Sequence, residues 1–265
     1  MNVARLPTLF VSHGGGPWPY IEEMKAPFAK TAAWLANFPS TLSARPKAVV
    51  SVSGHWEARD FTVSTSARPP MIYDYSGFPA HTYQIKYEAP GSPAVAGRVR
   101  ELLLAAGMAC DEDPEHGFDH GTFVPMGLMF PQADVPIVSL SLRESYDPEE
   151  HLRAGRALSA LRDEGVLIVG SGLSYHNLRA FRTEAAGPVS DQFEKWLTQT
   201  VLSAPKERAR RLIDWQLAPS ARLAHPQEDH LIPLMIAAGA AGEDAGRAEF
   251  VDRVWGVKMA SYRFG

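Results

Sequence analysis

The segment from residue 135 to residue 170 constrains the fold most. Val135–Leu142 and Gly165–Gly170 are short runs of β-branched and large apolar residues, the pattern of strands buried on both faces. Between them, Asp147-Pro148-Glu149-Glu150 puts a helix N-cap, a proline in the first turn and a capping-box glutamate in register, and Gly165 closes the helix. Strand, helix and strand in this order predict a right-handed βαβ crossover, and therefore a parallel sheet. Pro7–Ser12 and Lys47–Ser53 have the same strand character. A helix is predicted from Ser92-Pro93 to near Gly107, and two more follow Pro188, one to about Leu202 and one from Lys206 to Trp215. Ala248–Val254 and Lys258–Phe264, around Trp255-Gly256, predict antiparallel edge strands. No repeat, linker or compositional break interrupts the 265 residues. The expectation is one α/β domain over residues 1–265, a central and mostly parallel sheet with helices on both faces. Ser64 to Pro93, rich in proline and tyrosine, predicts a long ordered loop of the kind that carries function.

Charge and cysteine content exclude several partners. Lysine and arginine number 26 against 30 acidic residues, a net charge of −4, and no basic run tracks a phosphate backbone, so nucleic acid is not an expected partner. The single cysteine, Cys110, can form neither an internal disulfide nor a multi-cysteine zinc site, which fits a reducing, cytoplasmic location. Leu9–Val11 is too short for a signal-peptide core, and the apolar tract Leu231–Gly242 is too short to span a bilayer, so no membrane anchor is expected. Oligomeric state is not legible in the sequence.

The histidines carry the functional information. His13 follows the first strand, His55 follows the second, and His176 comes soon after Gly165–Gly170. Parallel strands share one carboxyl edge, and ligands bind in the crevice outside it, so these imidazoles are expected to converge there. Gly14, Gly54 and Gly172 beside them would let the backbone turn away sharply. A single strand-end histidine is ordinarily a hydrogen-bonded loop residue, but three in one context suit a metal centre assembled from distant parts of the chain. His225 and His230 lie before an apolar helix, and His116-Gly117-Phe118-Asp119-His120-Gly121 forms a turn-like segment. There Asp119 either orients an imidazole or caps the next helix. His81 and His151 are assigned to surface or packing.

Together these residues resemble a known family. Ser12-His13-Gly14, Ser53-Gly54-His55-Trp56, Gly77-Phe78-Pro79, Ala89-Pro90-Gly91-Ser92-Pro93, Gly117-Phe118-Asp119-His120-Gly121, Ser171-Gly172 through His176-Asn177-Leu178, and Asp229-His230 resemble the class III extradiol ring-cleavage dioxygenases. The branch is the one related to DOPA 4,5-dioxygenase. The motifs occur in the family's order from residue 8 to about 235.

The resemblance implies a mononuclear non-haem Fe(II) centre that opens a catechol with O2 to a muconic semialdehyde type of product. His13 and His55 would be ligands, with His230 in the third place, where protocatechuate-cleaving relatives carry a glutamate. His176 matches the family's catalytic histidine, and in bacterial relatives it can also ligate zinc. His120 matches a second active-site histidine that contacts substrate. Three or four neutral imidazoles leave the ion its full charge, and Glu57, Asp119, Glu228 and Asp229 are the acidic residues near these positions in sequence. In the long loop, Tyr73 and Tyr75 are candidates for substrate contact, with packing of the loop as the equal alternative. The partners implied are a small aromatic diol and O2.

Rival readings lack their motifs. A serine hydrolase needs Gly-x-Ser-x-Gly, and the nearest approach, Gly172-Leu173-Ser174-Tyr175-His176, ends in histidine. A dinucleotide site needs Gly-x-Gly-x-x-Gly, and Gly14-Gly15-Gly16 does not supply it. A zinc-binding, non-dioxygenase or non-catalytic member of the same fold is the remaining alternative.

Overall fold

The computed structural model describes residues 5–265. Among the described residues, eight strands form one sheet: β1 (Thr8–Ser12), β2 (Ala48–Ala58), β3 (Phe61–Ser64), β4 (Cys110–Asp113), β5 (Ile137–Arg143), β6 (Val166–Gly172), β7 (Gly246–Val254) and β8 (Val257–Phe264). Their spatial order is β4-β3-β5-β2-β6-β1-β8-β7. β5, β2, β6 and β1 are mutually parallel, which places their carboxyl ends on one edge. β8 and β7 close one side as an antiparallel pair. The hairpin between them turns on Trp255 and Gly256, both at positive φ, as a two-residue turn matched to strand twist requires.

Helices cover both faces of the sheet. Successive strand residues point to opposite faces. On β6, Gly170 lies against the carbonyl of Pro233, which begins the helix Pro233–Ala241, while the next residue, Ser171, donates a hydrogen bond to the Gly121 carbonyl in the helix His120–Met129. The two helices therefore flank one strand from opposite sides. β1 and β6 are buried along their length, β5 up to its last residue and β2 over its first six residues, as a sheet covered on both faces demands.

The βαβ unit is present, with the helix Pro148–Leu158 between β5 and β6. Asp147 caps it by accepting from the N–H groups of Glu149 and Glu150, but the capping box does not close. The Glu150 carboxylate is taken instead by Arg143 at 2.7 Å and Ser145 at 2.9 Å. Ser92 caps the helix Pro93–Ala105 through the Val95 N–H. Two strands escape the sequence pattern. β4 is the polar edge run Cys110-Asp111-Glu112-Asp113, and the four-residue β3 joins it to β5. Of the expected Ser64–Pro93 loop, Ser64 ends β3 and Pro93 opens a helix, and residues 65–92 between them are irregular except for a 3-10 helix at Ala80–Gln84 and a single bridge from Met71 to Phe118.

Candidate active site

The carboxyl edge of the parallel strands brings the expected histidines together. β1 ends at Ser12, and His13 follows it directly, before Gly14, which has φ +86° and holds a conformation that a side chain would strain. His55 does not follow its strand as expected. β2 continues to Ala58, and His55 sits in a stretch where the pairing with β5 is irregular between Val52 and Glu57. Such irregularities re-aim a side chain at a sheet edge. Gly172 serves a different purpose from the expected turn: a Cβ there would collide with the His230 carbonyl. That close approach lets Leu173 N–H donate to the His230 carbonyl at 3.0 Å and seats the 229–230 segment on the strand ends.

His13, His55 and His230 each offer one ring nitrogen, and these atoms all lie within 4.8 Å of one another. The tightest pair is His55 Nε2 and His230 Nε2 at 3.1 Å. His176 stacks on His230 with ring centroids 3.4 Å apart, and His120 lies 4.0 Å from the His55 ring. The structure thus gathers all five candidate histidines into one cluster. His225 is buried against Phe193, His116 stacks on Trp56, and His81 bonds the Tyr20 carbonyl. His151 is fully buried rather than on the surface.

Two aspartates flank the cluster. Asp229 Oδ2 accepts from His230 Nδ1 at 2.6 Å and lies 3.6 Å from His176 Nδ1. Asp74 accepts from His120 twice, from the backbone N–H at 3.0 Å and from Nδ1 at 2.8 Å, and lies 3.3 Å from His55 Nδ1. Asp74 was not among the acidic residues that sequence proximity suggests. It comes from the long loop, and no spacing signal links Tyr73-Asp74-Tyr75 to residues more than forty positions away. Of the suggested acids, Glu228 pairs with Arg222, and Asp119 caps the His120–Met129 helix through the Thr122 N–H.

Burial pushes His13 and His55 well below the ordinary histidine range, reinforced by the other imidazoles. Burial also lowers His230, to about 4, against the raising effect of Asp229. Burial alone would raise Asp229 and Asp74, but hydrogen bonds from the histidines outweigh it and hold both below the usual carboxylate range. His13, His55 and His230 are therefore neutral imidazoles, with ionised carboxylates behind His55 and His230.

That arrangement fits a metal ion. His13 is 1% exposed, and neither of its ring nitrogens has a hydrogen-bond partner, a costly state for a buried polar group unless something binds it. The 3.1 Å Nε2 pair has the same implication. Nδ1 of His230 donates to an aspartate and Nδ1 of His55 faces one, an arrangement that suits lone pairs on both Nε2 atoms. Nitrogens bound to one ion at about 2.0–2.1 Å stand about 3 Å apart, close to this separation.

Around the cluster, Tyr75 sets its ring edge-on to His120, with centroids 5.8 Å apart, and donates its hydroxyl to the Thr82 carbonyl at 2.6 Å. Tyr73 donates to the Ile85 carbonyl and lines a separate cavity of about 650 Å³ that includes none of the clustered histidines. His176 opens into a cleft of about 820 Å³ with Asn177, Leu178, Arg179, Thr183 and Gln227 on its walls.

A mostly parallel α/β sheet with an imidazole cluster on its carboxyl edge has the form of an α/β enzyme built around a candidate metal centre. The family described as the catalytic LigB subunit of aromatic ring-opening dioxygenase matches residues 6–263, and the chain belongs to it. It is 37% identical to the 4,5-DOPA dioxygenase extradiol of Beta vulgaris, over 96% of this chain and 94% of that protein. It is 39% identical to the dioxygenase tasH of Hapsidospora irregularis, over 98% of this chain and 85% of that one. The crystal structure of an uncharacterized Escherichia coli K12 protein superimposes with a TM-score of 0.79 at 30% identity, covering 98% of this chain and 100% of that one. Among the described residues, no helix is long and apolar enough to cross a membrane.

Proposed function

We propose that this chain is an Fe(II)-dependent dioxygenase that opens a catechol-type ring next to its two hydroxyls, retaining both atoms of O2 in a muconic semialdehyde type of product. The observation that carries the reading is the pair of facing Nε2 atoms of His55 and His230, 3.1 Å apart, completed by the unpartnered His13. These three would hold the ion. When bound, ferrous iron supplies the charge that acidifies a coordinated hydroxyl and the redox activity that zinc lacks.

The remaining steps fall to the chain's own groups. His176 lines the cleft, so its Nε2 would take a proton from a catechol hydroxyl and return it as the ring opens. His120, anchored on Asp74, presents its Nε2 as an acceptor for the substrate. Tyr75 walls the His120 side with its ring edge, and Tyr73 supports the loop one layer further out. The partners in this reading are a small aromatic diol and O2, and the buried lone thiol of Cys110 is consistent with a cytoplasmic enzyme.

The test is anaerobic Fe(II) loading, then a panel of catechols in air, with oxygen uptake and the yellow product followed together. One O2 consumed per ring opened is expected. No uptake by iron-loaded protein across the panel would remove the reading. Zinc is the alternative ion, because three neutral imidazoles suit it, and turnover by protein carrying zinc alone would contradict iron dependence.

A further inference from the structure

We propose that Asp74 and Asp229 are a matched pair of positioning residues, each steering one ion-facing imidazole and one neighbouring imidazole through a single carboxylate oxygen. The inference rests on the metal-centre reading above and deepens it. Asp74 Oδ2 faces Nδ1 of His120 at 2.8 Å and Nδ1 of His55 at 3.3 Å. Asp229 Oδ2 faces Nδ1 of His230 at 2.6 Å and Nδ1 of His176 at 3.6 Å. The same device therefore occurs twice, once from the long loop and once from the segment seated on β6.

The consequence follows from donor and acceptor chemistry. An ionised carboxylate only accepts, so each Nδ1 held against it carries the proton. A neutral imidazole with Nδ1–H has its lone pair on Nε2. Two aspartates thus fix the tautomer of His120 and His230 through hydrogen bonds of 2.8 and 2.6 Å, and draw the Nδ1 proton of His55 and His176 toward the same oxygens at 3.3 and 3.6 Å. With two of these Nε2 atoms directed at the ion, the others remain free to accept protons. A carboxylate behind a metal-binding histidine also raises its basicity and fixes its ring. The pair supplies charge as well: three neutral ligands leave a divalent ion uncompensated, and two aspartates one ring away return two negative charges without occupying a coordination position. Asp74 further ties the loop to the site, because its second oxygen accepts the His120 backbone N–H at 3.0 Å.

The test uses the full-length chain without catechol or oxygen. Long-range ¹H–¹⁵N NMR of the metal-free protein at pH 8 reads each histidine tautomer, and titration with Co(II) reads affinity and the visible spectrum of the bound ion. In the parent protein, His55, His120, His176 and His230 should carry the proton on Nδ1, the less common form for a histidine free in water. Asp74→Asn and Asp229→Asn keep an acceptor oxygen but lose the charge, and each should weaken Co(II) binding by about 10–100-fold while the bound spectrum keeps its shape. Asp74→Ala should in addition release His55 and His120 to the Nε2–H form. Nε2–H tautomers at these four residues in the parent protein would overturn the proposal, whatever the variants do. So would Co(II) affinity unchanged within twofold in both asparagine variants, or a bound-ion spectrum of altered shape, which would mark the aspartates as direct ligands. Because neither readout involves ring cleavage, a chain that cleaves no catechol can pass this test, and one that does can fail it.

Discussion

The Ser53 hydroxyl donates to Asp119 Oδ1 at 2.8 Å, and the same oxygen accepts the Thr122 N–H at 3.0 Å. One carboxylate oxygen thereby locks the cap of the helix that starts at His120 to the strand that carries His55. Asp119→Ala removes a cap and strands a buried hydroxyl, so a loss of about 1–3 kcal/mol in unfolding free energy is expected from urea titration. Turnover should fall as well, because His120 loses its fixed approach to His55. Full stability in the variant would contradict this role.

Metal retention should divide the histidines. His13→Ala, His55→Ala and His230→Ala each delete one of the three mutually close ring nitrogens, and each should lose at least tenfold in Fe(II) or Zn(II) affinity. His176→Ala should keep most of its metal and lose catechol cleavage by about 100-fold or more, the usual scale for a general acid–base group. Elemental analysis after dialysis, paired with oxygen uptake, checks both. Equal retention in all four variants would contradict the assignment.

The glycines beside the site make a different prediction. Gly172 has an ordinary backbone conformation, yet its missing side chain is the space that the His230 carbonyl occupies. Gly172→Ala should push the 229–230 segment off β6, weakening metal binding together with thermal stability. Gly15, with open space around its Cβ position, should tolerate alanine in the same assays.

How much of this was legible in the sequence divides along one physical line. β5, β6 and the helix between them were readable because buried parallel strands and an Asp-Pro cap are local signals. β4 was not, because an edge strand of one cysteine and three acids has no apolar period and owes its pairing to β3. His13, His55 and His176 could be placed together because parallel strands share an edge. Asp74 could not, because its position depends on how an irregular loop returns to the sheet, and that path is set by contacts such as the Ile72–Phe118 backbone bond. The purpose of Gly172 was hidden for a related reason: close approach involves a partner 58 residues away, whereas a turn leaves its trace in neighbouring residues.

His151 should contribute a pH-dependent part of stability. It is fully buried, donates from Nδ1 to the Asp147 carbonyl at 2.7 Å and accepts the Arg143 N–H at Nε2 at 3.1 Å. Burial lowers it to about 4, below the unfolded value of 6.5. As pH falls through 6.5 the unfolded chain takes up a proton that the folded chain refuses. Stability is therefore complete above about 6.5 and is lost down to about 4, by up to about 3 kcal/mol. His151→Gln cannot titrate, so the difference in unfolding free energy between parent and variant should shrink across that window while other titrating groups cancel. A constant difference from pH 7 to pH 4 would contradict the buried neutral imidazole.

Tyr75 separates substrate contact from loop packing. Its hydroxyl is already committed to the Thr82 carbonyl at 2.6 Å, while its ring edge meets His120 and Phe123. The hydroxyl has little left to offer a catechol, and the ring has a wall to provide. Tyr75→Phe should therefore cost about 1 kcal/mol of stability through the lost hydrogen bond and leave kcat/KM for catechols within about threefold. Tyr75→Ala removes the wall as well, and should lower kcat/KM by at least tenfold while the bound metal is retained. A tenfold loss in the phenylalanine variant, with metal content unchanged, would instead place the hydroxyl in contact with the substrate.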